Sequence, residues 1–307
     1  MRRRYATADV FTDRMFGGNP VAVVLDAIGL STDQMQAIAL EFNYSETTFV
    51  LPPRDPAHTA QVRIFTPDRE IPFAGHPNIG TAFLLARQMV ARGETVSDQF
   101  MFEELAGLVP VKLLQSQGIV TGAELIAPEP LSRRAVVPVD RAAACLGLAV
   151  DDLRIDAHAP QVVSVGLPFL VVELATRDAL RRAKPVRAAY ENVFPLDDAK
   201  SIYAYTRDVG TGAPAGGCDL QARMFTGRMT EDPATGSATA AASALLAALR
   251  GQPETSLRIR QGADMGRPSL LLAGTRIQDG VTVAFVGGGC VEMFDGSFAL
   301  ASADGNA

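Results

Sequence analysis

Phe73-Ala74-Gly75-His76-Pro77-Asn78-Ile79-Gly80-Thr81-Ala82 and Asp232-Pro233-Ala234-Thr235-Gly236-Ser237-Ala238-Thr239-Ala240-Ala241 occupy equivalent places in the two halves of the chain. Each follows a strand-like segment, passes a polar turn and enters a helix rich in Ala and Leu. A helix that opens this way offers backbone N–H groups with no intrahelical acceptor, at the positive end of its dipole. Such an opening receives a carboxylate or an oxyanion. Two of them facing one cleft are expected to hold a single small anionic substrate while an acid or base acts on it, and Glu46 is the candidate for that group.

Pro77 suits a first helical turn, where its missing N–H costs nothing, and Thr81, Ala82, Leu84, Leu85 and Met89 continue an apolar face as far as Gly93. Upstream, residues 5–11 and 20–25 are rich in strand formers and flank a turn at 13–19. Ser31 with Gln34 forms a capping box, and Met35, Ile38, Ala39 and Phe42 follow at helical spacing, so residues 32–41 are predicted to be helical. Strand-like runs at 47–51 and 61–65 leave Glu46 at a helix-to-strand junction, and further strands start at Phe100, Val109 and Ile119.

The second half repeats this grammar. Strands are expected at 162–165, 169–174, 202–206 and 221–226, with a helix over 177–183. After the second apolar helix come strands at 257–260, 270–273 and 281–286 and a hairpin with Asp295-Gly296 at its tip. Gly287-Gly288-Gly289 is followed by no Lys-Ser/Thr, so it reads as a bulge or turn, not a phosphate loop. No βαβ alternation carrying a GxGxxG is present, which disfavours a dinucleotide-binding sheet. The expected class is α+β: two similar domains, each a strongly curved, mostly antiparallel sheet wrapped around a central helix that is apolar nearly all round. The division expected is 1–120 and 121–307, with the last strands able to return to the first domain.

At 307 residues the chain is long enough for two cores, and 48% hydrophobic residues supply them. A net charge of −6, with Arg2-Arg3-Arg4 and Arg181-Arg182 as the basic runs, argues against nucleic acid as a partner, because phosphate binding needs clustered cations. The three cysteines, Cys145, Cys218 and Cys290, lie far apart without CxxC spacing, so neither a disulfide frame nor a metal site is expected. Asp9 interrupts the region where a secretory leader carries its apolar run, and the low-polarity stretch at 234–249 is too short to span a bilayer comfortably. A cytoplasmic protein with no membrane partner is the expectation.

Glu46, judged from its position alone, is either a solvated acid at a helix end or, if enclosed among apolar groups, a carboxyl lifted toward neutrality and fit to move protons. His76 is either an acid, base or donor, or a cap for the helix it precedes. Asp232 can cap the second helix and still lie beside an anion site. Ser237 either donates to a substrate oxygen or is a small residue for close packing, and no GxSxG surrounds it. Arg14, Arg63 and Arg69 are candidate partners for a substrate carboxylate, or surface charges.

Phe16-Gly17-Gly18-Asn19-Pro20-Val21-Ala22-Val23, Asn43-Tyr44-Ser45-Glu46-Thr47-Thr48-Phe49-Val50, Arg63-Ile64-Phe65-Thr66-Pro67, Pro72-Phe73-Ala74-Gly75-His76-Pro77, Val165-Gly166-Leu167-Pro168, Glu231-Asp232-Pro233-Ala234-Thr235-Gly236-Ser237-Ala238, and Gln261-Gly262 with Met265-Gly266-Arg267-Pro268-Ser269 form an ordered set. As a set they resemble the phenazine-biosynthesis PhzF-like family over almost the whole chain. The resemblance implies a diaminopimelate-epimerase-like fold, an active site between two domains, a homodimer and no cofactor. It also implies an isomerase in which Glu46 moves a proton between carbons of a dihydro-hydroxyanthranilate, with Gly75, His76, Asp232, Gly236 and Ser237 binding and orienting the substrate. Related epimerases and proline racemases place a cysteine at each glycine turn, and the corresponding positions here are Ala74 and Thr235. Two-thiol racemisation is therefore not expected. The readings left open are a lyase or epimerase acting on another small amino or hydroxy acid, and a non-catalytic metabolite-binding protein.

Overall fold

A computed structural model describes residues 2–210 and 217–300. The chain divides into two compact units, one holding the described residues up to Leu125 together with those from Gly288 onward, the other Ile126–Gly287.

In the first unit β1 (Arg2–Val10) pairs antiparallel with β2 (Asn19–Val24), Tyr5 opposite Val24. Helix α1 (Thr32–Phe42) opens on the expected capping box, with the Ser31 side chain accepting from the Gln34 N–H and the Gln34 side chain accepting from the Ser31 N–H. It returns the chain to β3 (Glu46–Leu51), which runs parallel to β2 with Glu46 opposite Val21. Then follow β4 (Ala60–Phe65), the two-residue β5 (Glu70–Ile71), α2 (Gly75–Ala91), β6 (Gln99–Glu104), β7 (Gly107–Ser116) and β8 (Ile119–Ile126). Apart from β2 with β3 and β4 with β6, which are parallel, these neighbours pair antiparallel.

Helix α2 is buried from His76 through Leu84 and again at Ala86, whereas α1 buries Met35, Ile38 and Ala39. A surface helix needs an apolar stripe; one enclosed by its sheet needs apolar residues on every side, which is why α2 reads as Ile, Ala, Phe and Leu with few charges. Gly80 permits the approach, since a Cβ there would lie 2.4 Å from Val21 Cγ1.

The second unit contains β9 (Ser132–Val136), α3 (Val139–Cys145), β10 (Gln161–Ser164), β11 (Pro168–Glu173), α4 (Arg177–Arg182), α5 (Arg187–Glu191), β12 (Ile202–Thr206), β13 (Leu220–Phe225), β14 (Glu231–Asp232), α6 (Gly236–Arg250), β15 (Thr255–Gln261) and β16 (Ser269–Gln278). The final strand, β17 (Val281–Ala299), pairs with β16 over its first part and with β1 over its second. Helix α6 is buried along most of its length, from Ala238 through Ala247.

The two units repeat one local structure, and pairing registers align them residue by residue. Phe65 faces both Thr47 and Glu70, and Phe225 faces both Ile202 and Glu231. Arg63 makes a two-pronged ion pair with Glu70 at 2.7 Å, and Arg223 makes the same pair with Glu231 at 2.9 and 2.7 Å. From these anchors Glu46 corresponds to Ser201, Ile71 to Asp232, Ala74 to Thr235, Gly75 to Gly236 and His76 to Ser237.

One expectation for the last strand is corrected. Asp295 and Gly296 form no hairpin tip; β17 runs through them with Gly296 opposite Tyr5, and a Cβ on Gly296 would lie 3.0 Å from the Tyr5 hydroxyl. The glycine makes room for an aromatic ring across the ladder instead of turning the chain. Gly287-Gly288-Gly289 likewise stays within β17, and β8 comes so close at Gly122 that a Cβ there would meet the Gly288 carbonyl oxygen at 2.0 Å. Helices α3 and α5 were not anticipated; they are short, and with α4 they supply Ala142, Ala143, Leu180 and Tyr190 to a separate core cluster of the second unit.

Candidate functional site

The first unit brings Glu46 and His76 together. Glu46 begins β3, and its Oε2 lies 3.5 Å from Nδ1 of His76 in the first turn of α2. The Glu46 side chain is 18% exposed and that of His76 8%. Burial drives the His76 imidazole down to about 3, against a hydrogen bond to the Pro20 backbone that pulls the other way. The ring is therefore neutral at pH 7, and its contact with Glu46 is a long polar one instead of an ion pair. Proline has no N–H, so the ring donates to the Pro20 carbonyl, and its remaining nitrogen carries a lone pair. His76 can accept a hydrogen bond here.

Helix α2 opens at Ala74 with no side-chain cap, and α6 opens at Thr235 with none either. The contrast lies within the same protein: α1 is capped by Ser31 and α4 by Thr176. Gly75 and Gly236 are the first residues of the two uncapped helices, so each lies where an anion would be received.

In the second unit Asp232 ends β14, and its Oδ2 accepts a 2.5 Å hydrogen bond from the Thr235 hydroxyl. The carboxylate thus binds the residue that precedes α6. Gln261, only 1% exposed, secures this turn from the end of β15. Its Nε2 donates to the Asp232 carbonyl (2.8 Å) and to Thr235 Oγ1 (3.1 Å), while its Oε1 accepts from the Thr235 N–H (3.1 Å). The Ser269 hydroxyl donates to the Pro233 carbonyl at 3.1 Å. Gly262, at φ +74°, comes so close that a Cβ would lie 2.5 Å from the Pro233 oxygen. Ser237, the second residue of α6, is half-buried beside Gly236.

Gln261 and Ser269 brace the turn before α6, a role that motif reading does not give them. Their signal was present in the Gln261-Gly262 and Arg267-Pro268-Ser269 run, but only the fold shows that this loop holds the α6 turn. Arg63, a candidate for a substrate carboxylate, is spent on Glu70 and on Thr32 (3.0 Å). The thiols lie elsewhere: Cys145 in α3, Cys218 before β13 and Cys290 on β17, all buried and all shifted upward by burial, Cys145 to about 11. Neither helix opening carries one. Among the described residues no cluster of three or more His, Cys, Asp or Glu side chains could hold a metal ion, and no helix is long and apolar enough to cross a membrane.

Repeated sheet-and-helix units with glycine turns at the openings of two buried helices define the diaminopimelate-epimerase-like class of fold. The family described as phenazine biosynthesis-like protein matches residues 8–296. An uncharacterized isomerase of Mesorhizobium japonicum is 38% identical over 304 residues, 96% of this chain and 98% of that protein. The trans-2,3-dihydro-3-hydroxyanthranilate isomerase of Pseudomonas aeruginosa is 36% identical over 275 residues, 88% of this chain and 89% of that one. The crystal structure of a PhzF-family protein from Bacillus anthracis superposes with a TM-score of 0.84 at 22% identity, covering 98% of this chain and all of that one, a likeness of fold. The chain belongs to the phenazine biosynthesis-like (PhzC-PhzF) family, and it is an isomerase of the PhzF type.

Proposed function

We propose that the protein shifts a proton between carbons of a small, anionic, cyclic substrate of the trans-2,3-dihydro-3-hydroxyanthranilate kind, without a cofactor, using Glu46 as the single acid and base. The observation that carries this reading is a carboxylate placed 3.5 Å from a neutral, buried imidazole in the first turn of a helix whose N-cap residue, Ala74, supplies no side-chain hydrogen bond. Glu46 takes a proton from one carbon and returns it to another, so the same carboxyl is base and then acid and no net charge is left on the enzyme. Negative charge that develops on the substrate's oxygens during the transfer is met by the N–H groups of the helix that begins at Gly75. His76, with its N–H committed to Pro20, accepts a hydrogen bond from a substrate hydroxyl or amino group and orients it. The second unit carries an opening of the same chemistry, in which Gly236 and Ser237 are donors for an anionic group and Asp232 is a binding and orienting carboxylate, on the turn that Gln261 holds.

The repeat favours a one-carboxylate mechanism over a two-base one, because the position equivalent to Glu46 is Ser201 and the positions where two-thiol enzymes carry cysteine are Ala74 and Thr235. The test follows solvent deuterium into trans-2,3-dihydro-3-hydroxyanthranilate and into a panel of small carboxylates, for wild type and Glu46→Gln. Wild type should incorporate deuterium into the first compound, and the variant should lose roughly 10²–10⁴-fold in rate with substrate binding retained. Exchange confined to other carboxylates would reject the substrate assignment, and full exchange by the variant would reject Glu46.

A further inference from the structure

Glu104 ends β6 in the first unit, and the repeat gives it a counterpart. Ala60 and Gln61 of β4 pair with Phe102 and Glu103, while Leu220, Gln221 and Ala222 of β13 pair with Ile259, Arg260 and Gln261. Ala60 lies five residues before Phe65, as Leu220 does before Phe225. Glu104 therefore stands where the second unit has Gln261, the amide that secures the turn opening α6. The neighbouring contacts agree: Pro72 is equivalent to Pro233, and its carbonyl accepts from the Ala106 N–H at 3.2 Å, just as Pro233 accepts from Ser269.

Both carboxyl oxygens of Glu104 are buried and lack a hydrogen-bond partner among the described residues, and the same holds for both amide atoms of Asn78 in the first turn of α2. Asn78 is wholly buried, and its side chain is the polar group beside the Glu104 carboxyl. Buried polar atoms need partners, and the Asn78 amide needs an acceptor for its N–H and a donor for its oxygen. A carboxylate offers acceptors alone. A carboxylic acid offers one of each, as the Gln261 amide does in the other unit.

We propose that Glu104 is a positioning residue of the candidate site, acting as a neutral acid that pairs with the Asn78 amide and so fixes the first turn of α2, with Gly75 and His76 in it; ionisation would remove the bond the acid donates to the Asn78 oxygen and loosen the turn. Burial raises the Glu104 carboxyl to about 8, with the Asn78 contact pulling weakly the other way, so the neutral form predominates at pH 7. The inference rests on the Glu46 reading for its consequence in catalysis, though not for the pairing itself.

Glu104→Gln keeps a donor and an acceptor at every pH and tests the idea directly. In wild type, kcat should fall roughly tenfold to thirtyfold between pH 7 and 9.5 as the acid ionises, and Glu104→Gln should hold its pH 7 rate to within about threefold across that range. Glu104→Leu, which cannot pair, should be slowed roughly tenfold at pH 7 with no limb near pH 8. In parallel, protein labelled with ¹⁵N-histidine is titrated without substrate. The His76 ring resonances should step near pH 8 in wild type and not in Glu104→Gln. A step that persists in Glu104→Gln, or is missing from wild type, overturns the proposal. If wild type fails to convert the substrate, the substrate assignment of the proposed function fails, and the His76 titration alone still decides whether Glu104 sets the turn.

Discussion

His76 shows how one residue takes its character from burial. Its imidazole is held near 3 in the folded protein against about 6.5 in an unfolded chain, so between those values the unfolded state binds the extra proton. Its contribution is whole above pH 6.5 and is lost as pH falls: about 2 kcal/mol between pH 7 and 5. Glu104 works in the opposite sense, because its raised value stabilises the folded state as pH falls from 8 toward 4.5. Wild type should therefore look nearly indifferent to mild acid, while His76→Asn should gain stability relative to it by about 2 kcal/mol between pH 7 and 5 in urea titrations. An unchanged gap would mean that His76 is not a buried neutral base. Glu46 and His76 were both visible as candidates in the sequence, one at a helix-to-strand junction and the other beside a helix-opening proline. The 3.5 Å contact between them and the neutral state of the ring were not, since both depend on how β3 and α2 pack.

At the scale of elements, helix openings at Gly75 and Gly236 were legible because glycine, proline and a run of Ala announce a turn entering a buried helix. What supports the openings was not. Gln261 lies 26 residues beyond Thr235, across α6, and its three hydrogen bonds follow from β15 pairing parallel with β13. Gln261→Leu would leave the Thr235 N–H buried without its partner, at about 1–3 kcal/mol, and would remove two further hydrogen bonds from the turn. The expected result is a fall of about 2–4 kcal/mol in unfolding free energy by denaturant titration, with KM raised more than kcat is lowered. A variant as stable as wild type would show that the clamp adds nothing. The Asp295-Gly296 signal misled for a related reason: a local turn preference cannot report that Tyr5, almost three hundred residues away in sequence, covers that glycine across β1 and β17.

At the scale of the whole molecule, the first unit is closed by the far end of the chain. All nine residues of β1 find partners on β17, from Arg2 opposite Ala299 to Val10 opposite Cys290, and Phe298 packs against the cluster of Val24, Met35, Phe49 and Phe65. A chain ended at Gly287 should leave β1 as an open edge and expose that cluster, so its β1 and β2 amides should exchange with solvent orders of magnitude faster than in the intact protein. Protection equal to wild type would refute this. The amino-acid sequence by itself determined the α+β class, the two helices apolar on every side and the ordered motifs of the family, because residue type and spacing encode burial and backbone preference locally. Only the tertiary structure decided that Glu46 meets a neutral His76, that Gln261 and Glu104 hold equivalent places, and that β17 completes the first unit. Those depend on strand register and on desolvation, which exist only once distant segments have packed together.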